Sequence, residues 1–211
     1  MDKYSQLLNS GHSVFIEGCA EAFTWPVVWL PATLILLYIL LKNSGIKNFL
    51  VLVLDLAALY GATYVASTYL CRPIMELLFH ETTVYVSAAT CVNTACAFGI
   101  ATLLIMVVRH KALFITFTLL GIITACVEVY KTAHSVTEVT VEAVLGVLCG
   151  VVAYRIYMAW LRKKRTRRDW ISDKYTKSGY EVSDVFFLSA VLFATIAALP
   201  FISFFLAAAA Q

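Results

Sequence analysis

A charged side chain inside a bilayer is costly, so each one found in an apolar run is a candidate for chemistry. This chain has few of them. Asp55 lies near the start of one long apolar run, and Arg72 closes that run just before Pro73. Glu128 lies near the end of a later run, His134 follows in a short connection, and Glu138 and Glu142 open the next run. His134, Glu138 and Glu142 are spaced i, i+4, i+8, which aligns them on one face if the helix begins before His134. An imidazole with two carboxylates has three plain uses. It can hold Zn or Mn, it can relay protons, or it can serve as a hydrogen-bonding group at a helix end. A lone histidine at a helix end favours the last. Metal binding is the sharper rival, and no second histidine supports it: His80 and His110 fall in other connections.

The elements that must position these groups are long and apolar. Of the 211 residues 61% are hydrophobic and 14% charged, and the mean hydropathy is +0.83. A soluble domain averages about 45–50% apolar and about 25% charged, so a soluble globular protein is excluded, as is a disordered or disulfide-scaffold chain. The apolar residues come in blocks rather than in the alternating segments of an outer-membrane barrel. A spanning helix needs about 20 mostly apolar residues. Six runs qualify: Phe23–Leu41, Phe49–Cys71, Val84–Val108, Ala112–Tyr130, Glu138–Leu161 and Val185–Leu206. The fold class is all-α, a polytopic six-helix transmembrane bundle. Residues 2–20 are too polar to span and suit a short interfacial helix. They also lack the basic start and apolar core of a cleavable signal.

Orientation follows from the basic residues, because loops rich in Lys and Arg stay cytoplasmic. Lys42 and Lys47 lie in the first loop, Arg109 and Lys111 in the third, and Arg162, Lys163, Lys164, Arg165, Arg167, Arg168, Lys174 and Lys177 in the fifth. The second and fourth loops and the N-terminal segment carry little positive charge. Both termini are therefore expected outside the cytoplasm, with Arg72, Glu128, His134 and Glu138 gathered at the outer end of the bundle. The basic run at 162–168 follows a spanning helix directly. It reads as a stop-transfer segment and an anionic-lipid anchor through Arg162, Lys163, Lys164, Arg165, Arg167 and Arg168 rather than as a nucleic-acid patch. Cys19, Cys71, Cys91, Cys96, Cys126 and Cys149 form no Cys-x-x-Cys pair and mostly sit in apolar blocks, as small buried hydrophobes do.

The stretch 128–157, EVYKTAHSVTEVTVEAVLGVLCGVVAYRIY, resembles the third signature of the type-2 phosphatidic acid phosphatase superfamily, S-R-x5-H-x3-D followed by a glycine-containing apolar helix. His134 matches the nucleophilic histidine and Glu138 the aspartate that orients it. Gly146, Gly150, Tyr154 and Tyr157 suit the following helix of small bacterial members. Upstream, VASTYLCRP resembles the first signature, K-x6-R-P, with Arg72 and Pro73 in place, and FTWPVVWLPATLILLYILLKN is similar to the opening helix. The resemblance covers roughly residues 10–160. It implies a phosphatase-like five-helix core at 23–161, preceded by an extracytoplasmic segment at 1–22. A basic cytoplasmic loop at 162–184 and an additional transmembrane helix at 185–211 follow. It also implies the plasma (inner) membrane of a bacterium.

The departures bear on activity. In the family a lysine, two arginines and backbone amides hold the phosphate, and a second-signature histidine protonates the leaving group. Here the lysine position is Val65, the serine and arginine of the third signature are Val127 and Glu128, and the second-signature histidine falls at Asn93. Phosphoryl transfer depends on positioning and on stabilising negative charge. A carboxylate at 128 sits where a phosphate oxygen should; two like charges about 4 Å apart repel by about 4 kcal/mol at an effective dielectric of 20. Loss of a general acid typically costs a further 10²–10⁴-fold. Glu128 can instead pair with Arg72 and fill the former anion site. The expectation is a catalytically inactive member of this fold, with a vestigial site at His134, Glu138, Arg72, Glu128, Asn93 and Val65. It needs no cofactor and no metal, and serves as a structural or partner-binding subunit beside another membrane protein. The alternatives are an active lipid or isoprenoid phosphate phosphatase with a rewired site, and a transport or proton-relay component. The relay is disfavoured by helix middles that are nearly all apolar.

Overall fold

The structure, a computed structural model, describes residues 14–24, 26–79, 88–132, 135–162, 174–176 and 178–209. The described residues are helical almost throughout: α1 (Val14–Thr24), α2 (Pro26–Tyr69), α3 (Cys71–Phe79), α4 (Ala88–Val108), α5 (Lys111–Thr132), α6 (Val136–Arg162) and α7 (Val182–Ala209). Four stretches are long and apolar enough to cross a membrane: Val27–Tyr69, Lys111–Lys131, Val136–Trp160 and Val182–Ser203. In α4 the apolar part so described is Thr94–Val108. The all-helical membrane bundle expected from composition is therefore present.

The 44 residues of α2 are one helix in name only. A straight helix of that length would run about 66 Å, roughly twice the hydrocarbon thickness. Gly45 breaks it, with φ 73° and ψ 156°. That backbone conformation is open to glycine and nearly closed to other residues. The contacts show that the chain reverses there. The first half runs antiparallel to α7: Val28 and Trp29 pack on the cluster that holds Leu199, and Lys42 meets Asp184. The second half runs antiparallel to α6: Asn48 shares a cavity with Tyr154 and Tyr157, while Cys71, two residues past its far end, packs on Val141 and Leu145. The first two apolar runs are thus a helical hairpin. The expected loop between them, residues 42–48, is helical on both sides of one glycine.

Two ends result. At one, Lys42, Val108, Arg109, Tyr154 and residues 174–181 meet; at the other, Thr24, Lys131, Cys71 and Ser135. The first is the basic end and the second the carboxylate end. The core between them is built from Leu52, Leu59, Leu103, Leu104, Leu113 and Leu188, all essentially inaccessible. The most extensive helix pairing is α4 with α6, and small residues permit it. A Cβ on Gly146 would stand 2.2 Å from the Ala95 carbonyl oxygen, and one on Gly150 2.6 Å from that of Gly99. This is the close backbone approach that small-xxx-small patterns allow in membranes.

Three features depart from the sequence reading. Beyond Tyr69 the chain makes a turn at Leu70 and continues as α3, which packs on α6. The segment before residue 23 forms a short helix from Val14, as expected, but packs on α7, with Gly18 and Cys19 against Ser203. Within the expected loop 162–184, residues 174–176 and 178–181 come back together around a tight turn. The Thr176 amide donates to the Tyr180 carbonyl at 2.7 Å, and the Gly179 amide to the Thr176 carbonyl at 2.8 Å. Gly179 supplies the positive φ, 87°, that this turn requires.

Candidate functional site

At the carboxylate end α5 and α6 bring three carboxylates inside the protein: Glu128, Glu138 and Glu142 are all buried. Glu142 lies one turn beyond Glu138 on α6, and both are within electrostatic reach of the Cys71 thiol. The first turn of α3, which carries Arg72, is thereby placed beside α6. The side chains of Arg72 and Asn93, and the whole of His134, lie outside the described residues. Among the described residues no group of three or more His, Cys, Asp and Glu is placed to hold a metal ion. The described cysteines, Cys19, Cys71, Cys96, Cys126 and Cys149, are free thiols.

Glu138 has a structural task that its sequence context announces. Its Oε2 accepts the Ser135 amide at 3.1 Å, and its own amide donates to the Ser135 hydroxyl at 3.2 Å. This reciprocal pair is a capping box. It satisfies two backbone donors at the start of α6 and places a carboxylate at the positive end of the helix dipole. The Ser-x-x-Glu spacing carries that signal, and the reading of Glu138 as partner of His134 had passed over it.

Val65 and Val127, two positions that the resemblance aligns with phosphate-handling residues, lie elsewhere. Val65 is 53% exposed on the outer surface of α2. Val127 packs with Ala22, Phe23 and Leu199 in a cluster on the far side of α5. Asp55 is buried on the core face of α2, between Leu52 and Leu59, and its Oδ2 has no hydrogen-bond partner among the described residues.

At the basic end lies a second arrangement, which the sequence reading missed. Lys42 donates to Glu181 at 3.0 Å and to Asp184 at 2.9 Å, and Asn43 donates to Asp184 at 3.0 Å. The Lys42 ammonium holds the exposed Glu181 carboxyl below the usual carboxylate range. The tight turn around Gly179 docks through Tyr180, whose hydroxyl lies 2.8 Å from the Ser44 hydroxyl, and through Ser178, which donates to the Val108 carbonyl at 2.9 Å. Beneath the turn is a cavity of about 80 Å³ lined chiefly by polar groups, among them Asn48, Arg109, Tyr154, Tyr157 and Tyr180. Arg109 sits in the two-residue link between α4 and α5 with φ 55°. Its Nη2 donates to the Tyr154 hydroxyl, its Nε to the Met106 carbonyl at 3.3 Å, and its guanidinium carbon lies 5.8 Å from the Tyr154 ring centre. Hints were present in the Ser178-Gly179 turn pair and in the lone cation of a short link. Nothing local joins residues 48, 109, 154 and 180, because the cavity exists only once four separate segments meet.

Comparison of the chain with protein-family models, with curated proteins and with solved structures finds no match.

Proposed function

We propose that this chain is a non-catalytic integral membrane protein of type-2 phosphatidic acid phosphatase-like design, acting as a structural or partner-binding subunit. The observation that carries the reading is the orientation of Val65. The position that the resemblance assigns to a phosphate-binding lysine is 53% exposed on the outside of the bundle. Val127, at the serine position, is committed to an apolar cluster, and Glu138 is committed to capping α6. A carboxylate at position 128 and two more on α6 supply negative charge where an anionic substrate needs positive charge. What remains is packing: the capped α6, its glycine contact with α4 and the hairpin at Gly45.

The proposal includes topology. The chain makes six passages, the basic end is cytoplasmic and both termini are extracytoplasmic, in a bacterial plasma membrane. Lys42, Lys47, Arg109, Lys111, Arg155 and Lys174 all lie toward one end, as the positive-inside tendency requires. The partner is another membrane protein, met through the apolar exterior. On α7 that surface carries Phe186, Phe187, Phe193 and Phe201, all exposed. Aromatic side chains offer large contact area at a helix interface.

The test is purification in mild detergent. A stoichiometric membrane partner that stays through size exclusion, and is lost when those four phenylalanines are changed to Leu, supports the reading. A stable monomer that hydrolyses a lipid phosphate overturns it.

A further inference from the structure

We propose that the cavity at the basic end binds a phosphate oxyanion, with the Arg109 guanidinium and the Tyr154 hydroxyl as its principal donors. This goes beyond the proposed function and is independent of it, because it concerns the opposite end of the molecule from the vestigial site.

The donor chemistry comes first. Arg109 has five N–H donors in a fixed fork. Nε is committed to the Met106 carbonyl and Nη2 to the Tyr154 hydroxyl, and among the described residues no carboxylate pairs with it. Nη1 and the second proton of Nη2 remain. The Tyr154 oxygen accepts from a cation, so its own O–H is polarised toward donation, and that ring is buried. Asn48 adds an amide from α2. A set of donors around a cation, with no carboxylate among the described residues that line the cavity, selects an anion; guanidinium and phosphate match in geometry.

The second observation is the backbone. Arg109 holds a left-handed φ of 55°, where helix ends usually place glycine. A non-glycine residue held there points to a constraint worth explaining by function. From this position Arg109, an exposed residue, reaches the Tyr154 hydroxyl on α6 and shares the cavity lining with Ser178 and Tyr180. The third is space. About 80 Å³ admits several water-sized groups, enough for one phosphate. Among the described residues, Glu181 and Asp184 at this end are paired with Lys42. The basic end as a whole is electropositive.

A phosphate group can reach this place as a lipid headgroup at the membrane surface or as a free anion. The same chemistry serves both, and the experiment separates them. The full-length protein is purified and delipidated in a neutral detergent. Binding is read by native mass spectrometry with phosphatidylglycerol, and by thermal shift with inorganic phosphate over a sodium chloride control. Three variants are measured beside it. Arg109→Gly removes the guanidinium while relieving the backbone strain, so a folded product is expected. Tyr154→Phe removes one donor and keeps the ring. The third neutralises the basic run at 162–168 and controls for loose lipid attraction.

The expected result is saturable binding in at least one arm, weakened about 10- to 100-fold by Arg109→Gly and several-fold by Tyr154→Phe. It should survive neutralisation of 162–168. Response to lipid alone identifies a headgroup site, and response to inorganic phosphate identifies a free-anion site. Binding in neither arm, or binding that Arg109→Gly leaves unchanged, overturns the proposal. So does binding that disappears with the 162–168 charges alone.

Discussion

Asp55 places a carboxyl on the core face of α2 with one oxygen that finds no hydrogen-bond partner among the described residues. Burying a polar group without a partner costs about 1–3 kcal/mol on protein mutational scales. Asp55→Leu should therefore raise the detergent melting temperature; a marked fall would show that Asp55 makes an interaction essential to the fold. Glu181 has the opposite character. Lys42 depresses its pKa, so the pair's contribution is fully present above the unfolded carboxylate pKa of about 4.3 and is lost as pH falls through the lower folded value. Melting curves between pH 3 and 7 should show a smaller acid-side loss in Glu181→Gln than in the parent, and identical slopes would disprove the linkage. Residue chemistry was unevenly legible. Asp55, Glu128, Glu138 and Glu142 stand out in the sequence because charge in an apolar run is rare. The partner of Lys42 could not be read, since Glu181 and Asp184 lie about 140 residues away and meet it only after the α2 hairpin forms.

Among the helices, the contact between α4 and α6 makes the sharpest demand. Gly146→Ala would drive a Cβ to 2.2 Å from a backbone oxygen of Ala95, and backbone cannot swing aside. Overpacking typically costs about 1–3 kcal/mol, and this clash belongs at or above the top of that range. Gly121→Ala is the contrast. Its Cβ would meet only the edge of the Phe98 ring at 3.2 Å, which a side chain can accommodate. Thermal melts should show Gly146→Ala strongly destabilised and Gly121→Ala close to the parent; equal effects would mean that the helix crossing is placed wrongly. The helices themselves were legible because a run of apolar residues needs no long-range information. Their ends were less so. Gly45 sits among strong helix formers, so a one-residue hairpin looked like an ordinary seven-residue loop. Leu70 marks a turn that no proline or glycine announces, since Pro73 falls inside α3.

For the molecule as a whole, the arrangement of charge predicts sidedness. Lys47 is exposed near the α2 hairpin, and Lys131 is exposed at the opposite end, donating to Thr24 at 3.2 Å. An impermeant maleimide should label Lys131→Cys in intact cells or spheroplasts and Lys47→Cys only after permeabilisation. The reverse pattern would invert the bundle. The basic loops carried this expectation in the sequence. The cavity they surround did not show there, because it is formed by segments from four parts of the chain.

The central proposal is that the carboxylate end does not perform phosphoryl transfer. It is tested most directly by phosphate release from a short-chain lipid phosphate by the pure protein, measured beside His134→Ala. The account predicts no release above the detergent blank in either sample. Release by the parent protein that His134→Ala abolishes, with both proteins equally folded, would contradict it.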